Sequence, residues 1–177
     1  MKVAILGNGG REHALCEMFR KSKKISKIYT LPGNAGTESI SENVNIDINN
    51  FELLKDFIFK SKIDFVVVGP EKPLVEGIVD FLKENNIKVF GPNKNASKLE
   101  GSKIFTKKLC KDNNIPTAKY GVFKSFKEAK KFLDSSNHPI VIKADGLAAG
   151  KGVYICDNIE QSLDAVNEIF NGKFGKA

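Results

Sequence analysis

Apolar residues along the 177-residue chain fall into two kinds of run, and the two alternate. Stretches rich in Val, Ile and Leu at 2–6, 27–31, 63–68 and 87–90 are short and largely continuous, as expected of strands covered on both faces in a parallel sheet. Between them apolar positions recur every three or four residues: Ala14, Leu15, Met18 and Phe19, then Leu54, Phe57 and Ile58 within 51–61, then a segment from 74 to about 85. Strand and helix repeated in this order predict an α/β fold built on a doubly wound parallel sheet of the Rossmann-like kind.

From residue 96 the pattern changes. A helix is predicted over 96–114, carrying Leu99, Ile104, Phe105 and Leu109 and ended by Ile115-Pro116. A strand at 117–123 follows, then a helix to about 135 with Ser125 as its N-cap and Phe126, Ala129, Phe132 and Leu133 facing inward. Apolar runs at 139–144 and 153–156 read as a hairpin, and Asp157 or Asn158 caps a last helix through Leu163, Val166, Ile169 and Phe170. This second region reads as a small α+β unit, with the domain boundary expected near residue 100.

The loop inside that hairpin carries the most chemistry. Asp145, Gly146, Leu147, Ala148, Ala149, Gly150, Lys151 and Gly152 combine three glycines with small apolar residues, so backbone N–H groups can approach an anion closely, and Lys143 and Lys151 add charge at the two ends. A Walker A loop is excluded by spacing. Three residues rather than four separate Gly146 from Gly150, Gly152 stands where a Ser or Thr should reach a metal, and a strand follows instead of a helix. What remains is a lid able to close over a triphosphate. A Gly-rich hairpin with solvated lysines is the plainer alternative.

Three further turns follow predicted strands: Gly7-Asn8-Gly9-Gly10-Arg11-Glu12, Gly33-Asn34-Ala35-Gly36-Thr37 and Gly69-Pro70-Glu71. Ligands of open α/β sheets collect at that edge. A dinucleotide is not the expected ligand: Glu12 stands at the third glycine position of G-x-G-x-x-G, and the second strand ends in Thr30, Leu31 and Pro32 rather than in an acid for a ribose. His13 is read as structural rather than as a general base.

Composition narrows the partners. Of a net charge of +7, residues 101–177 carry +5, so the excess sits with the lid. Only Arg11 and Arg20 are arginines, and Lys124, Lys127, Lys130 and Lys131 read as a solvated helix face, so nucleic acid is not expected as a partner. No apolar run approaches the ~20 residues of a membrane span, and the N-terminus enters a strand without a leader, which predicts a cytoplasmic protein. Cys16, Cys110 and Cys156 are scattered, without C-x-x-C spacing, and read as free thiols.

Five stretches in order, at 7–15, 32–37, 68–74, 99–103 and 143–152, resemble the glycinamide ribonucleotide synthetase family of ATP-grasp ligases. The resemblance runs from residue 1 to 177. It implies that 1–100 is a phosphoribosylamine-binding α/β domain of the pre-ATP-grasp type and that 101–177 is part of an ATP-grasp domain. It implies ATP-binding roles for Lys103, Lys143, Asp145, Gly146, Leu147, Ala148, Ala149, Gly150, Lys151 and Gly152. It also implies that Asn8, Gly9, Gly10, Arg11, Glu12, Gly33, Asn34, Ala35, Gly36, Thr37, Pro70 and Glu71 line the site for 5-phosphoribosylamine, with Arg11 on its phosphate. The reaction implied is ATP-dependent joining of glycine to 5-phosphoribosylamine through glycyl phosphate in purine biosynthesis. In the family the Mg²⁺ ligands come from a subdomain that follows the lid hairpin, so none is expected in this chain. The expectation is therefore an N-terminal portion, truncated and inactive as a ligase by itself, the alternative being a non-catalytic nucleotide-binding remnant. No catalytic residue and no protein partner is assigned.

Overall fold

The first 97 residues build a sheet from strands whose two faces are both apolar. In chain order the elements are β1 (Lys2–Gly7), α1 (Gly10–Arg20), β2 (Lys27–Pro32), α2 (Ala35–Glu38), β3 (Glu42–Asn43), α3 (Phe51–Ser61), β4 (Phe65–Val68), α4 (Glu71–Glu76), α5 (Ile78–Glu84), β5 (Val89–Phe90) and α6 (Lys94–Gly101). This computed structural model describes residues 1–148 and 151–175. It divides into two compact units, Met1–Ser97 and Lys98–Ala177, with the division inside α6.

The five strands pair in parallel in the order β3-β2-β1-β4-β5. Alternation along β1 explains the two layers. Ala4 and Leu6 face a core completed by Leu54 and Ile58 of α3 and Ile78, Val79 and Leu82 of α5, whereas Val3 and Ile5 face Cys16, Leu15 and Phe19 of α1. The sheet is doubly wound, as its continuous apolar strands predict. The order reverses between β1 and β4, which makes their carboxyl ends the topological switch point where such sheets open a crevice. Register aligns the ends: Gly7 lies opposite Pro32 and Leu6 opposite Val68.

Several element boundaries differ from expectation. The helix expected from 74 to 85 begins at Glu71 and breaks at Gly77, whose φ of 102° no L side chain adopts cheaply. The helix expected over 96–114 is also two: Ser102 is extended, and its Oγ accepts the Phe105 N–H at 3.1 Å, so it caps α7 (Lys103–Asp112). Only half of the apolar stripe of α1 faces inward: Leu15 and Phe19 pack on the core. Ala14 is exposed and Met18 is 61% exposed, while Glu12 and Cys16 are buried.

The second unit continues with α8 (Phe126–Leu133), β6 (Ile140–Lys143), β7 (Val153–Cys156) and α9 (Ile159–Phe170). Ser125 and Asn158 cap α8 and α9 through their side chains. β6 and β7 form an antiparallel hairpin, extended by the Ala144 N–H donating to Gly152 O at 2.8 Å. One face packs Ile140 and Ile142 on Ala129, Leu133, Leu163 and Val166. Residues 117–123 are not a strand. Their Tyr, Val and Phe favour extended backbone, but they pair with no strand among the described residues, and most are exposed. Of the residues expected inward, Ala129 and Leu133 are buried, whereas Phe126 and Phe132 are exposed; Leu99 and Ile104 are exposed too, and α7 buries none of its residues.

Candidate functional site

At the carboxyl edge of the sheet the three turns are joined by side chains. Asn34 caps α2 by accepting the Gly36 and Thr37 N–H groups at 2.8 and 3.0 Å, and its Nδ2 donates to the carbonyls of Asn8 and Gly9 at 2.9 and 3.3 Å. Turn 33–37 is thereby clamped to turn 8–9. Arg11, in the first turn of α1, donates to Glu71 Oε1 at 2.6 Å and so links turn 8–11 to turn 69–71. The Arg11 guanidinium beside Glu71 holds that carboxyl below its usual range. The ion pair is exposed, 70% on the Arg11 side, and is weak for that reason.

Glu12 lies beneath these turns, only 4% exposed. Its Oε2 accepts the Gly9 N–H at 2.6 Å, and its Oε1 is buried with no partner among the described residues. The three neighbouring glycines follow from this acid. A Cβ on Gly69 would stand 2.0 Å from Oε1, and Cβ atoms on Gly7 and Gly9 would stand 2.7 and 2.8 Å from the same side chain. Among the residues expected to line the site, Asn8, Gly9, Gly10, Arg11 and Ala35 are exposed, and Gly33, Asn34, Gly36, Pro70 and Glu71 are half-buried. Glu12 and Thr37 are buried and act from below. His13 packs on turn 33–37: a Cβ on Gly36 would meet its ring at 2.7 Å.

In the second unit the fold brings together segments 43 residues apart. The Lys103 ammonium donates to Gly146 O at 2.9 Å, and the Asp145 carboxylate accepts the Ser102 hydroxyl at 3.0 Å and the Ile104 N–H at 3.1 Å. Asp145 thus shares the capping of α7 with Ser102 and ties the root of the hairpin loop to Lys103. Gly152, at φ 75°, packs against Ala144 and Ala148. Ala149 and Gly150 lie outside the described residues.

The pairing of Val141 with Ile155 and of Lys143 with Val153 puts these four side chains on the face of the hairpin away from α8 and α9. Val141, Val153 and Ile155 are 52%, 49% and 74% exposed. The Lys143 and Lys151 side chains make no hydrogen bond or ion pair with another described residue. An apolar strip that carries Lys143 suits a ligand with a flat apolar part and a polyanionic tail. Sequence reasoning missed Val141, Val153 and Ile155, although period-2 alternation was there to find them. A depression of about 520 Å³ runs along β7 and α9; besides Val153 and Ile155 it is lined by Asp157, Asp164 and Glu168, and these acids would repel such a tail. Among the described residues no group of three or more His, Cys, Asp or Glu is placed to hold a metal.

Two family models match the chain, one on each side of residue 100. Residues 1–100 match the family model for the N domain of phosphoribosylglycinamide synthetase, and residues 101–177 match that for its ATP-grasp (A) domain. Proteins named phosphoribosylamine–glycine ligase from Mesorhizobium japonicum and Caldanaerobacter subterraneus are each 50% identical, over 100% and 94% of this chain and 42% and 40% of their own lengths. The crystal structure of phosphoribosylamine–glycine ligase from Thermotoga maritima superposes with a TM-score of 0.77 at 33% identity, covering 100% of this chain and 41% of that one. The biotin carboxylase domain of Hydrogenobacter thermophilus 2-oxoglutarate carboxylase, in complex with MgADP, shares the fold at a TM-score of 0.69 and 22% identity, over 99% and 42% of the two chains. The chain spans about two fifths of the length of the curated relatives it matches. With family models matched through both units, the chain belongs to the phosphoribosylglycinamide synthetase family.

Proposed function

We propose that this chain supplies the phosphoribosylamine-binding surface and part of the ATP-binding surface of an ATP-dependent ligase that joins glycine to 5-phosphoribosylamine. Residues 1–100 act as the sugar-phosphate domain and 101–177 as the first part of the ATP-grasp domain. The observation that carries this reading is the cluster at the root of the hairpin loop, where Lys103 meets Gly146 and Asp145 meets Ser102 and Ile104. It joins two stretches of the second unit with phosphate-binding chemistry into one place. Lys103, Lys143 and Lys151, with the N–H groups of the glycine-rich loop around Gly146 and Gly152, then face the phosphates, while Val141, Val153 and Ile155 give the base an apolar seat.

In the reaction proposed, a glycine carboxylate oxygen takes the γ-phosphoryl group and ADP leaves. The amine of phosphoribosylamine then attacks the acyl carbon and expels inorganic phosphate, giving glycinamide ribonucleotide. Residues 146–152 act as the lid that keeps water from the acyl phosphate. At the sheet edge Arg11 exchanges Glu71 for the 5-phosphate, an exchange favoured by bidentate geometry and by the N-terminus of α1. Gly9, at the N-cap of that helix, has no side chain to take the first-turn N–H groups. Mg²⁺ would neutralise charge on the phosphates during transfer. The described residues offer it no ligand set, and no step here runs through it.

No described helix is long and apolar enough to cross a membrane. The three cysteines are free, which suits a reducing compartment, and we place the protein in the cytoplasm. Calorimetric titration of ATP into the chain and its Lys143→Ala variant tests the reading. Binding weakened by roughly tenfold to a hundredfold, the worth of a charge-assisted hydrogen bond, is expected. Equal binding by the two would remove the hairpin from the nucleotide site.

A further inference from the structure

The amide of Asn34 is saturated. A carboxamide offers two donor hydrogens and one oxygen with two lone pairs. In Asn34 the oxygen takes the N–H groups of Gly36 and Thr37, and the nitrogen serves the carbonyls of Asn8 and Gly9. Donors on one side and carbonyls on the other also fix which way the amide faces. Asn34 therefore has nothing left for a ligand, and its effect on one must come through the shape of the two turns it joins.

Behind it stands Asn43, in the edge strand β3, which none of the sequence motifs includes. Asn43 Nδ2 donates to Asn34 O at 2.8 Å, and its Oδ1 accepts the Thr37 hydroxyl at 2.7 Å. The same hydroxyl accepts the Asn34 N–H at 2.8 Å, and Thr37 is fully buried. Gly33 lies directly on this side chain: a Cβ there would be 2.3 Å from Asn43 Oδ1. The turn at 33–37 thus rests on Asn43 at both its main chain and its one buried hydroxyl.

We propose that Asn43 is a positioning residue for the sugar-phosphate site: it sets the height of turn 33–37, so that Asn34 holds turns 33–37 and 8–9 as one wall of the crevice. The inference rests on the reading of this edge as the phosphoribosylamine site. Ribose 5-phosphate, which shares the sugar and phosphate, is the probe. Its affinity is measured calorimetrically for the 177-residue chain and for Asn43→Ala, Asn34→Ala, the double variant and Asn85→Ala. Asn85, whose Nδ2 donates to Phe81 O at 2.9 Å and which touches none of these turns, is a control for general loosening.

Asn43→Ala and Asn34→Ala should each weaken binding about tenfold, with the double variant no more than about threefold worse than either, since both act on one coupled element. Asn85→Ala should bind as the unaltered chain does. If Asn43→Ala does not fold, Asn43→Ser, which stays neutral and polar but loses the amide donor to Asn34 O, carries the same expectation. Unchanged affinity in the Asn43 variant, or losses that simply add, would overturn the inference while leaving the site reading intact. An unaltered chain that fails to bind ribose 5-phosphate would overturn the reading and the inference together.

Discussion

The two units present their functional groups in opposite states. At the sheet edge of the first, polar side chains are engaged with one another: Asn34 with Asn8, Gly9, Gly36 and Thr37, Arg11 with Glu71, and Glu12 with Gly9. On the hairpin of the second, Lys143 and Lys151 have no described partner, and three apolar side chains of the same sheet face open solvent. On the proposed reading, the difference follows from what each unit recognises. A small sugar phosphate gains from a wall fixed in advance, because ordering it on binding would cost affinity. A triphosphate brings enough charge to organise lysines itself. The net charge of +5 on residues 101–177, against +2 on 1–100, favours that encounter.

If the first site is rigid because its parts touch, crowding it should be costly. Gly69→Ala places a methyl against the buried Glu12 carboxylate, which Gly7 and Gly9 hem in from the other side. The expected loss of stability is ~1–3 kcal/mol, read from denaturant unfolding. Gly10→Ala, where a Cβ meets nothing within 4 Å, should cost far less. Equal losses at the two positions would mean that the turns are not packed around Glu12.

The root of the second site is its one pre-built part. Asp145→Ala removes a carboxylate that takes both the Ser102 hydroxyl and the Ile104 N–H. A loss of about 0.5–2 kcal/mol is expected, the range for a helix cap, together with weaker ATP binding. Loss of stability with ATP affinity untouched would show that Asp145 serves α7 alone.

The smallest effect should come from the exposed ion pair. Glu71→Gln is expected to change stability at pH 7 by about 0–1 kcal/mol. Because Arg11 lowers the folded-state pKa of Glu71, whatever the pair contributes is present above the ordinary carboxylate pKa and disappears as pH falls through the lowered value. Melting curves of the two proteins should therefore converge in acid. A gap that widens on acidification would contradict the pairing.

Much of this was legible along the chain, and the failures share a cause. Continuous apolar strands gave the doubly wound sheet, Ser125 and Asn158 announced their helices, and the glycine turns marked the edge where side chains converge. Glu12 was misleading because an acid after a glycine turn looks like a ligand contact, whereas position 12 shares a helix face with Cys16, three to four residues on. Ser102 was hidden by the helical spacing of Leu99, Phe105 and Leu109, although Gly101 beside it is a poor helix former. Residues 117–123 have the side chains of a strand, but a strand exists only with a partner, which local sequence does not supply. Asn43 was invisible for a related reason: its role is set by Asn34 and Thr37, brought to it by the fold and not by any spacing.

The central claim is that the two units hold different substrates of one ligation reaction, and a crossed pair of variants tests it most directly. Steady-state kinetics of the full-length protein are compared for Arg11→Ala and Lys143→Ala. Arg11→Ala should raise the KM for phosphoribosylamine roughly tenfold to a hundredfold and leave that for ATP nearly alone, and Lys143→Ala should do the reverse. Variants that move both constants together, or that lose thermal stability with both constants unchanged, would contradict the division of labour.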